Sequence, residues 1–211
     1  MSSKNPKPPR LRERQAQLTR AEILGAARRL FAERGYSRTS VRDIAEAAGV
    51  SAQTVYDSVG SKQALVARLN DVIDAEAQIA ELAGAAARST DPTEVAATSA
   101  KVTRSILEHS GDVIHALVTG AAAEPALEAV LAEGQRRHVA GARAIVGMLQ
   151  ELNALDPSLD PRDAVDTLAA ISDVRFALML REGYGWSLHR IEAWIADASR
   201  ALLLDSATGR S

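Results

Sequence analysis

The chain has no cysteine, and its 211 residues include only two Phe, two Trp and three Tyr. Without thiols there can be no disulfide framework, no thiolate metal site and no cysteine nucleophile. No stretch approaches the roughly 18 uncharged apolar residues that a membrane-spanning helix needs. The first 14 residues are basic and contain proline, but they lack the apolar centre of a secretory signal. A cytoplasmic location is the expectation. With 13 Gly and 7 Pro the chain is no low-complexity or collagen-like polymer. The β-branched and aromatic runs that mark strands are missing as well. Alanine is abundant instead, the best helix former, within a composition that is 46% hydrophobic and 25% charged. That mix predicts an all-α globular fold with a core of its own.

Catalytic signatures are equally scarce. His109, His115, His138 and His189 show neither i,i+4 metal pairing nor a His-Glu-x-x-His pattern. There is no nucleophile elbow, phosphate-cradling glycine loop or dinucleotide fingerprint; Gly183-Tyr184-Gly185 lacks both the third glycine and a preceding strand. Carboxylate pairs such as Asp163 and Asp166 fall where a helix starts, and the helix dipole accounts for them. The sequence predicts no catalytic residues, no metal, no cofactor and no enzyme activity.

A net charge of −2 conceals two unlike parts. Residues 1–70 carry 13 Lys and Arg against 6 Asp and Glu, a balance of +7, whereas the rest carries 12 against 21, a balance of −9. A basic front on an acidic body suits a chain that meets nucleic acid at one end.

The basic part also carries dense helix punctuation. Thr19 and Glu22 are spaced as a capping box, followed by Ile23, Ala27, Leu30 and Phe31 at helical spacing and a stop at Gly35. Ser40 starts a short helix with Val41, Ile44, Ala45 and Ala48 inward, and Gly49 ends it. Ser51 then caps a third helix to about Ser58, and Ser61 caps a fourth that the pattern carries unbroken into the 80s. Two short helices joined by Gly49-Val50-Ser51, with small Ala45 at the crossing, fit a helix-turn-helix. The second of them bears Gln53, Thr54, Tyr56, Asp57 and Ser58, side chains able to bond base edges or phosphates.

These residues resemble the N-terminal domain of TetR-family transcriptional repressors over Thr19–Asp71, about a quarter of the chain. The resemblance rests on Thr19-Arg20-Ala21-Glu22-Ile23-Leu24, on Leu30-Phe31-Ala32-Glu33-Arg34-Gly35-Tyr36 and on Thr39-Ser40-Val41-Arg42-Asp43-Ile44-Ala45. It continues through Ala48-Gly49-Val50-Ser51, Thr54-Val55-Tyr56, Ser61-Lys62 and Leu65. One departure stands out: the family often has His-Phe shortly after its tyrosine, and this chain reads Asp57-Ser58-Val59-Gly60. Val59 keeps the packing, but Asp57 and Ser58 change the reading surface, so no operator sequence can be borrowed.

The resemblance implies an N-terminal three-helix helix-turn-helix domain and a C-terminal helical bundle for regulation and dimerisation. It implies a sequence-specific regulator, a repressor released from a palindromic operator by a small molecule. Its partners would be double-stranded DNA, a second copy of the chain and an effector, with Arg42, Gln53, Thr54, Tyr56, Asp57, Ser58 and Lys62 contacting DNA. The expected layout is a flexible basic arm over 1–14, the DNA-binding domain over 15–63, the ligand-binding and dimerisation domain over 64–204, and a tail over 205–211. Lys4, Lys7, Arg10, Arg12 and Arg14 could reach phosphates or a minor groove, or form a solubilising tail. A helical small-molecule-binding or scaffolding dimer without DNA reading is the competing class.

The acidic part is read from periodicity. Asp91-Pro92 opens a helix with Val95, Thr98, Ser99, Val102, Thr103 and Ile106 on one face, ending at Gly111. Pro125 opens a long one, Asp160-Pro161 another to about Gly183, and Ser187 caps the last. Of the 17 residues 164–180, 12 are apolar, more than a single stripe. That helix is either central in the subunit or, with the final helix, half of a dimer bundle. His138 interrupts an apolar stripe, as a satisfied core histidine or as a polar contact in a ligand cavity. Gly134 and Gly141 beside it make room for a crossing helix or a ligand. An effector site is expected among Thr98, Ser99, Thr103, His138 and Phe176.

Overall fold

A computed structural model of the chain describes residues 11–205. Among the described residues there are twelve α-helices and one isolated antiparallel bridge, Leu155 to Leu204. The chain divides into two compact units between Leu69 and Asn70, six residues after the boundary expected from the sequence.

The first unit holds α1 (Leu11–Arg34), α2 (Val41–Ala47), α3 (Ala52–Ser58) and α4 (Lys62–Ala67). Ile23, Ala27, Leu30 and Phe31 of α1 are buried, as their spacing demands, with Ile44, Ala45, Val55, Leu65 and Val66 from the other helices. Gly35 ends α1 with φ +79°, and the buried Thr39 hydroxyl donates to the carbonyls of Leu30 and Gly35. Ser40 and Asp43 form a reciprocal capping box on α2. The Ser40 hydroxyl and amide hold the Asp43 carboxyl below the usual carboxylate range. At the other end, Gly49 at φ +67° allows a Schellman turn, its amide bonding Glu46 O and the Val50 amide bonding Ala45 O. Ser51 follows at once as N-cap of α3, accepting from the Thr54 amide at 3.0 Å. One turn therefore stops α2 and starts α3 within four residues.

The second unit contains α5 (Leu69–Glu76, starting at the boundary), α6 (Ile79–Arg88), α7 (Pro92–Ala96) and α8 (Thr98–Gly120). It continues with α9 (Pro125–Glu151), α10 (Pro161–Ile171), α11 (Val174–Tyr184) and α12 (Leu188–Leu203). Helices α7, α9, α10 and α12 share a core that includes Val95, Ile145, Val146, Leu149, Val165, Leu168 and Leu203. Helix α8 packs along α12 and α9. Backbone bonds from Asp156 N to Leu203 O and from Asp205 N to Ala154 O pin the end of α12 to the loop after α9.

Four expectations are corrected by the structure. The arm does not extend through residue 14: α1 already begins at Leu11, and Thr19 lies inside it rather than capping it. Residues 11–24 contain no Gly or Pro, so nothing stops the helix propagating towards its N-terminus. Residues 1–10 of the expected arm and 206–211 of the tail lie outside the described residues. The helix from Lys62 is not continuous into the 80s but is interrupted at Arg68 and at Gln78, which is left-handed at φ 52°. A left-handed non-glycine residue costs roughly 1–2 kcal/mol; the Ser105 hydroxyl, donating to Ala77 O at 2.8 Å, satisfies a carbonyl at that break.

The helix expected over 161–183 is likewise two. Ser172 caps the end of α10, and Asp173 caps the start of α11 by accepting from the Arg175 amide at 2.8 Å. Finally, the helix that was to start at Pro92 and stop at Gly111 is α7 followed by α8, which runs through Gly111 with a kink at Ser110. Arg181 donates to Leu107 O at that kink, and Ser110 donates to Glu76 at 2.6 Å. Side chains from other helices bond carbonyls at the breaks near Gln78, Ser110 and Ser172, a kind of partner that a helical repeat in sequence does not display.

Candidate functional site

In the first unit, α3 buries Val55 and turns its polar side outward. Gln53, Tyr56 and Asp57 are exposed, Thr54 and Ser58 are partly buried, and Arg42 is exposed on α2. Gln53 Nε2 donates to Asp57 Oδ1 at 2.8 Å, one helical turn along the same face. The Ser51 and Thr54 hydroxyls lie 2.8 Å apart at the start of α3, and Arg20 donates from α1 to Ser58 O at its end. The Lys62 ammonium sits 3.8 Å from the centre of the Tyr36 ring, a cation–π contact that fixes the charge. Arg20 and Tyr36 support the surface without having been singled out in sequence; both are separated in sequence from the residues they hold. Of the five basic arm residues, Arg12 and Arg14 are exposed on α1, and Lys4, Lys7 and Arg10 lie outside the described residues.

The second unit contains a cavity of about 240 Å³ walled by α5, α6, α8, α9 and the turn between α10 and α11. Thr98, Ser99, Thr103 and His138 all line it. Phe176 does not: its ring packs 5.6 Å from that of Trp194, so it leaves the expected set. The break after α10 turns Phe176 away from the stripe that a continuous helix would have given it. The Thr103 hydroxyl donates to Ser172 O at 2.8 Å, and Thr98 donates to Glu94 O four residues back. Ser99 Oγ is buried without a hydrogen-bond partner. His138 Nε2 lies 2.9 Å from Ala169 O, so this ring is both tied to a backbone carbonyl and placed at the cavity wall. The two glycines on α9 have different uses. A Cβ at Gly134 would stand 3.1 Å from Asn70 Oδ1, whereas one at Gly141 would meet nothing within 4 Å.

Helix α5 is held against its neighbours by polar contacts beside this cavity. Asn70 Nδ2 donates to Val130 O at 2.9 Å, and Arg137 reaches Asp71, Asp74 and Glu133 at 2.7–2.9 Å. Hydrogen bonds that Arg137 donates to the carboxylates of Glu133, Asp74 and Asp71 push its pKa still higher. On the turn after α10, burial works to raise the Asp173 carboxyl, but the Arg175 side chain and amide outweigh it and hold it below its ordinary range. The Glu133–Arg137 spacing was visible as an i,i+4 pair; the reach to α5 was not.

An apolar surface lies elsewhere in this unit. Met179 of α11 and Trp194 and Leu202 of α12 are exposed, with the Trp186 ring 6.4 Å from Trp194. Leu178 and Ile191, by contrast, are buried inside the subunit. Among the described residues no group of three or more His, Asp or Glu could hold a metal, and no helix is long and apolar enough to cross a membrane.

Residues 23–69 match the family described as bacterial regulatory proteins, tetR family. Over these residues the chain is similar to the TetR family. Among its relatives is the transcriptional regulator TtgR of Pseudomonas putida, 47% identical over 57 residues, 27% of each chain. Another is the repressor KstR2 of Rhodococcus jostii, 49% identical over 47 residues, 22% of this chain and 23% of that one. Sequence similarity thus spans about a quarter of the curated relatives' length, near the N-terminal end of this chain. Solved structures extend the likeness in fold. SmeT, the repressor of the Stenotrophomonas maltophilia efflux pump SmeDEF, aligns with a TM-score of 0.69 at 21% identity over 92% of this chain and 94% of its own. NalD of Pseudomonas aeruginosa, the secondary repressor of the MexAB-OprM pump, aligns at 0.65 and 23% identity over 92% and 99%. At such identities the likeness concerns the fold alone.

Proposed function

We propose that this chain is a DNA-binding transcriptional regulator of the TetR type, a homodimeric repressor released from a two-fold symmetric operator by a small molecule. The observation that carries the reading is the exposed polar face of α3 on a turn that caps both of its helices, within the basic part of the chain. In this reading Arg42, Gln53, Thr54, Tyr56, Asp57, Ser58 and Lys62 contact DNA, with α3 in the major groove and half-sites about one helical turn, or a multiple, apart. The second unit, from Asn70, takes effector and partner subunit. Its cavity, with Thr98, Ser99, Thr103 and His138, offers apolar walls and a few polar handles, as small-molecule sites require. We assign no catalytic role to any residue.

The partner subunit would cover Met179, Trp194 and Leu202, because the apolar surface of α11 and α12 is the kind that closed two-fold dimers bury. Release by an effector follows from linkage: a molecule that weakens operator binding 5- to 150-fold must prefer the DNA-free form by about 1–3 kcal/mol. Helix α5 is the element that would feel it, since Asn70, Asp74 and Arg137 belong to both the cavity wall and the α5 contacts. Gln78 now limits any rigid lever to α5 itself. SmeT, which shares the fold, is itself a repressor and is known in complex with triclosan.

A gel-shift of the purified chain on DNA flanking its own gene, at stated salt, tests the reading. Retarded complexes that survive excess unrelated DNA are expected. A chain that binds small molecules but shows no preference for that DNA would be the helical scaffold instead.

A further inference from the structure

We propose that the cavity of the second unit takes an uncharged, mainly aliphatic molecule carrying a hydroxyl or carbonyl group; this names the effector class and rests on the ligand-responsive reading above. The walls point to the aliphatic part. Ile73, Val102, Ile106, Leu131, Ile145 and Met148 line the space, and no Phe, Tyr or Trp does. A flat cation would therefore find no ring to stack on.

Charge balance points to the uncharged part. The four ionised side chains at the wall are Asp74, Arg137, Asp173 and Arg175, two of each sign. Each is already engaged within the protein: Arg137 by Asp71, Asp74 and Glu133, and Arg175 by Asp173 and by Gln135 Oε1 at 3.0 Å. An incoming carboxylate or ammonium would either break such a pair or be desolvated without a counter-ion, and both outcomes oppose binding.

The polar handle is independent of both arguments. Ser99 is 6% exposed, lines the cavity and has no hydrogen-bond partner for its hydroxyl. Buried hydroxyls are almost always satisfied, and a ligand oxygen would complete this one. The Thr103 oxygen has given its proton to Ser172 O and keeps lone pairs for a ligand hydroxyl. The volume of about 240 Å³ corresponds to roughly eight water-sized groups at about 30 Å³ each, the scale of a medium-chain alcohol.

Calorimetry of the full chain with 1-octanol, octanoate and octyltrimethylammonium holds the hydrocarbon fixed and varies only the charge. Octanol is expected to bind one per chain and at least about ten-fold tighter than either ion, a difference of about 1.4 kcal/mol. Gly141→Leu adds bulk at a cavity-lining position where a Cβ meets nothing within 4 Å and should abolish octanol binding. Gly141→Ala controls for folding and should retain it. Ser99→Ala should weaken octanol and leave any residual binding of the ions unchanged. An ion that binds as well as octanol, no octanol binding at all, or octanol binding that survives Gly141→Leu would overturn the assignment. Because heat is read without DNA, a negative result here leaves operator binding standing, and a chain that fails to bind DNA leaves this result standing.

Discussion

Replacing His138 with leucine removes a donor and keeps most of the bulk, so its effect separates the two uses of this ring. In the structure Nε2 faces Ala169 O at 2.9 Å, across from α9 to α10. Ala169 stands close to the end of α10, where the Asp173 amide bonds instead to Ala170 O at a weak 3.5 Å. A leucine leaves that carbonyl without its side-chain donor. Stranding a buried acceptor costs about 1–3 kcal/mol, and because this site is only partly buried the lower half of that range applies. At about 2–4 °C per kcal/mol for a chain of this size, the melting temperature should fall by about 2–8 °C. Hydrogen exchange should speed up at the amides of Ser172 and Asp173, and His138→Gln, which keeps an N–H, should recover part of both losses. Unchanged melting and exchange in His138→Leu would refute the account of this bond. Loss of octanol binding in a variant that melts normally would show that the ring serves the ligand alone.

Other outcomes follow from the same contacts. Lys62→Ala should weaken binding to every DNA sequence and reduce the salt slope by about one unit per protomer, whereas Gln53→Ala should relax preference at particular base pairs; equal behaviour of both on all operator variants in anisotropy titrations would contradict the docking. Trp194→Asp should yield a folded monomer by sedimentation equilibrium, while Ile191→Asp, fully buried in the subunit, should unfold it; a dimeric Trp194→Asp protein would place the interface elsewhere. Asp173 is held below its ordinary 3.8 in the folded chain, so its stabilisation is complete above that value and is lost as pH falls through the lower folded one. Asp173→Asn, which still caps α11, should flatten this part of the acid limb in urea titrations at successive pH values.

The helix-turn-helix was legible because its determinants are local. Ser40 with Asp43, Gly49 and Ser51 fix their turns within three or four residues, and such spacings are written in the chain. The cavity of the second unit was legible only in part. Thr98, Ser99, Thr103 and His138 stood out as polar residues on apolar faces, but Arg137 and Asn70 gain their meaning from helices some 60 residues away. Phe176 was misplaced for a related reason: Ser172 and Asp173 looked like two polar positions in a long helix. The partners that make them a break, Thr103 and Arg175, show themselves only in three dimensions. The apolar run over 164–180 carried the dimer argument in sequence, yet such a run is the same signal for a subunit core as for an interface. In the structure Leu178 is buried in the subunit, while its neighbour Met179 is exposed.

Footprinting of the wild-type chain on the DNA flanking its own gene bears most directly on the central claim. The account predicts a protected segment with two-fold symmetric sequence, its half-sites separated by about one helical turn or a multiple, and protection that disappears with Gln53→Ala at the bases α3 reads. Protection spread evenly along the DNA, unchanged by Gln53→Ala and removed by modest salt, would mean that the basic unit only gathers phosphates and that the chain is no sequence-specific regulator.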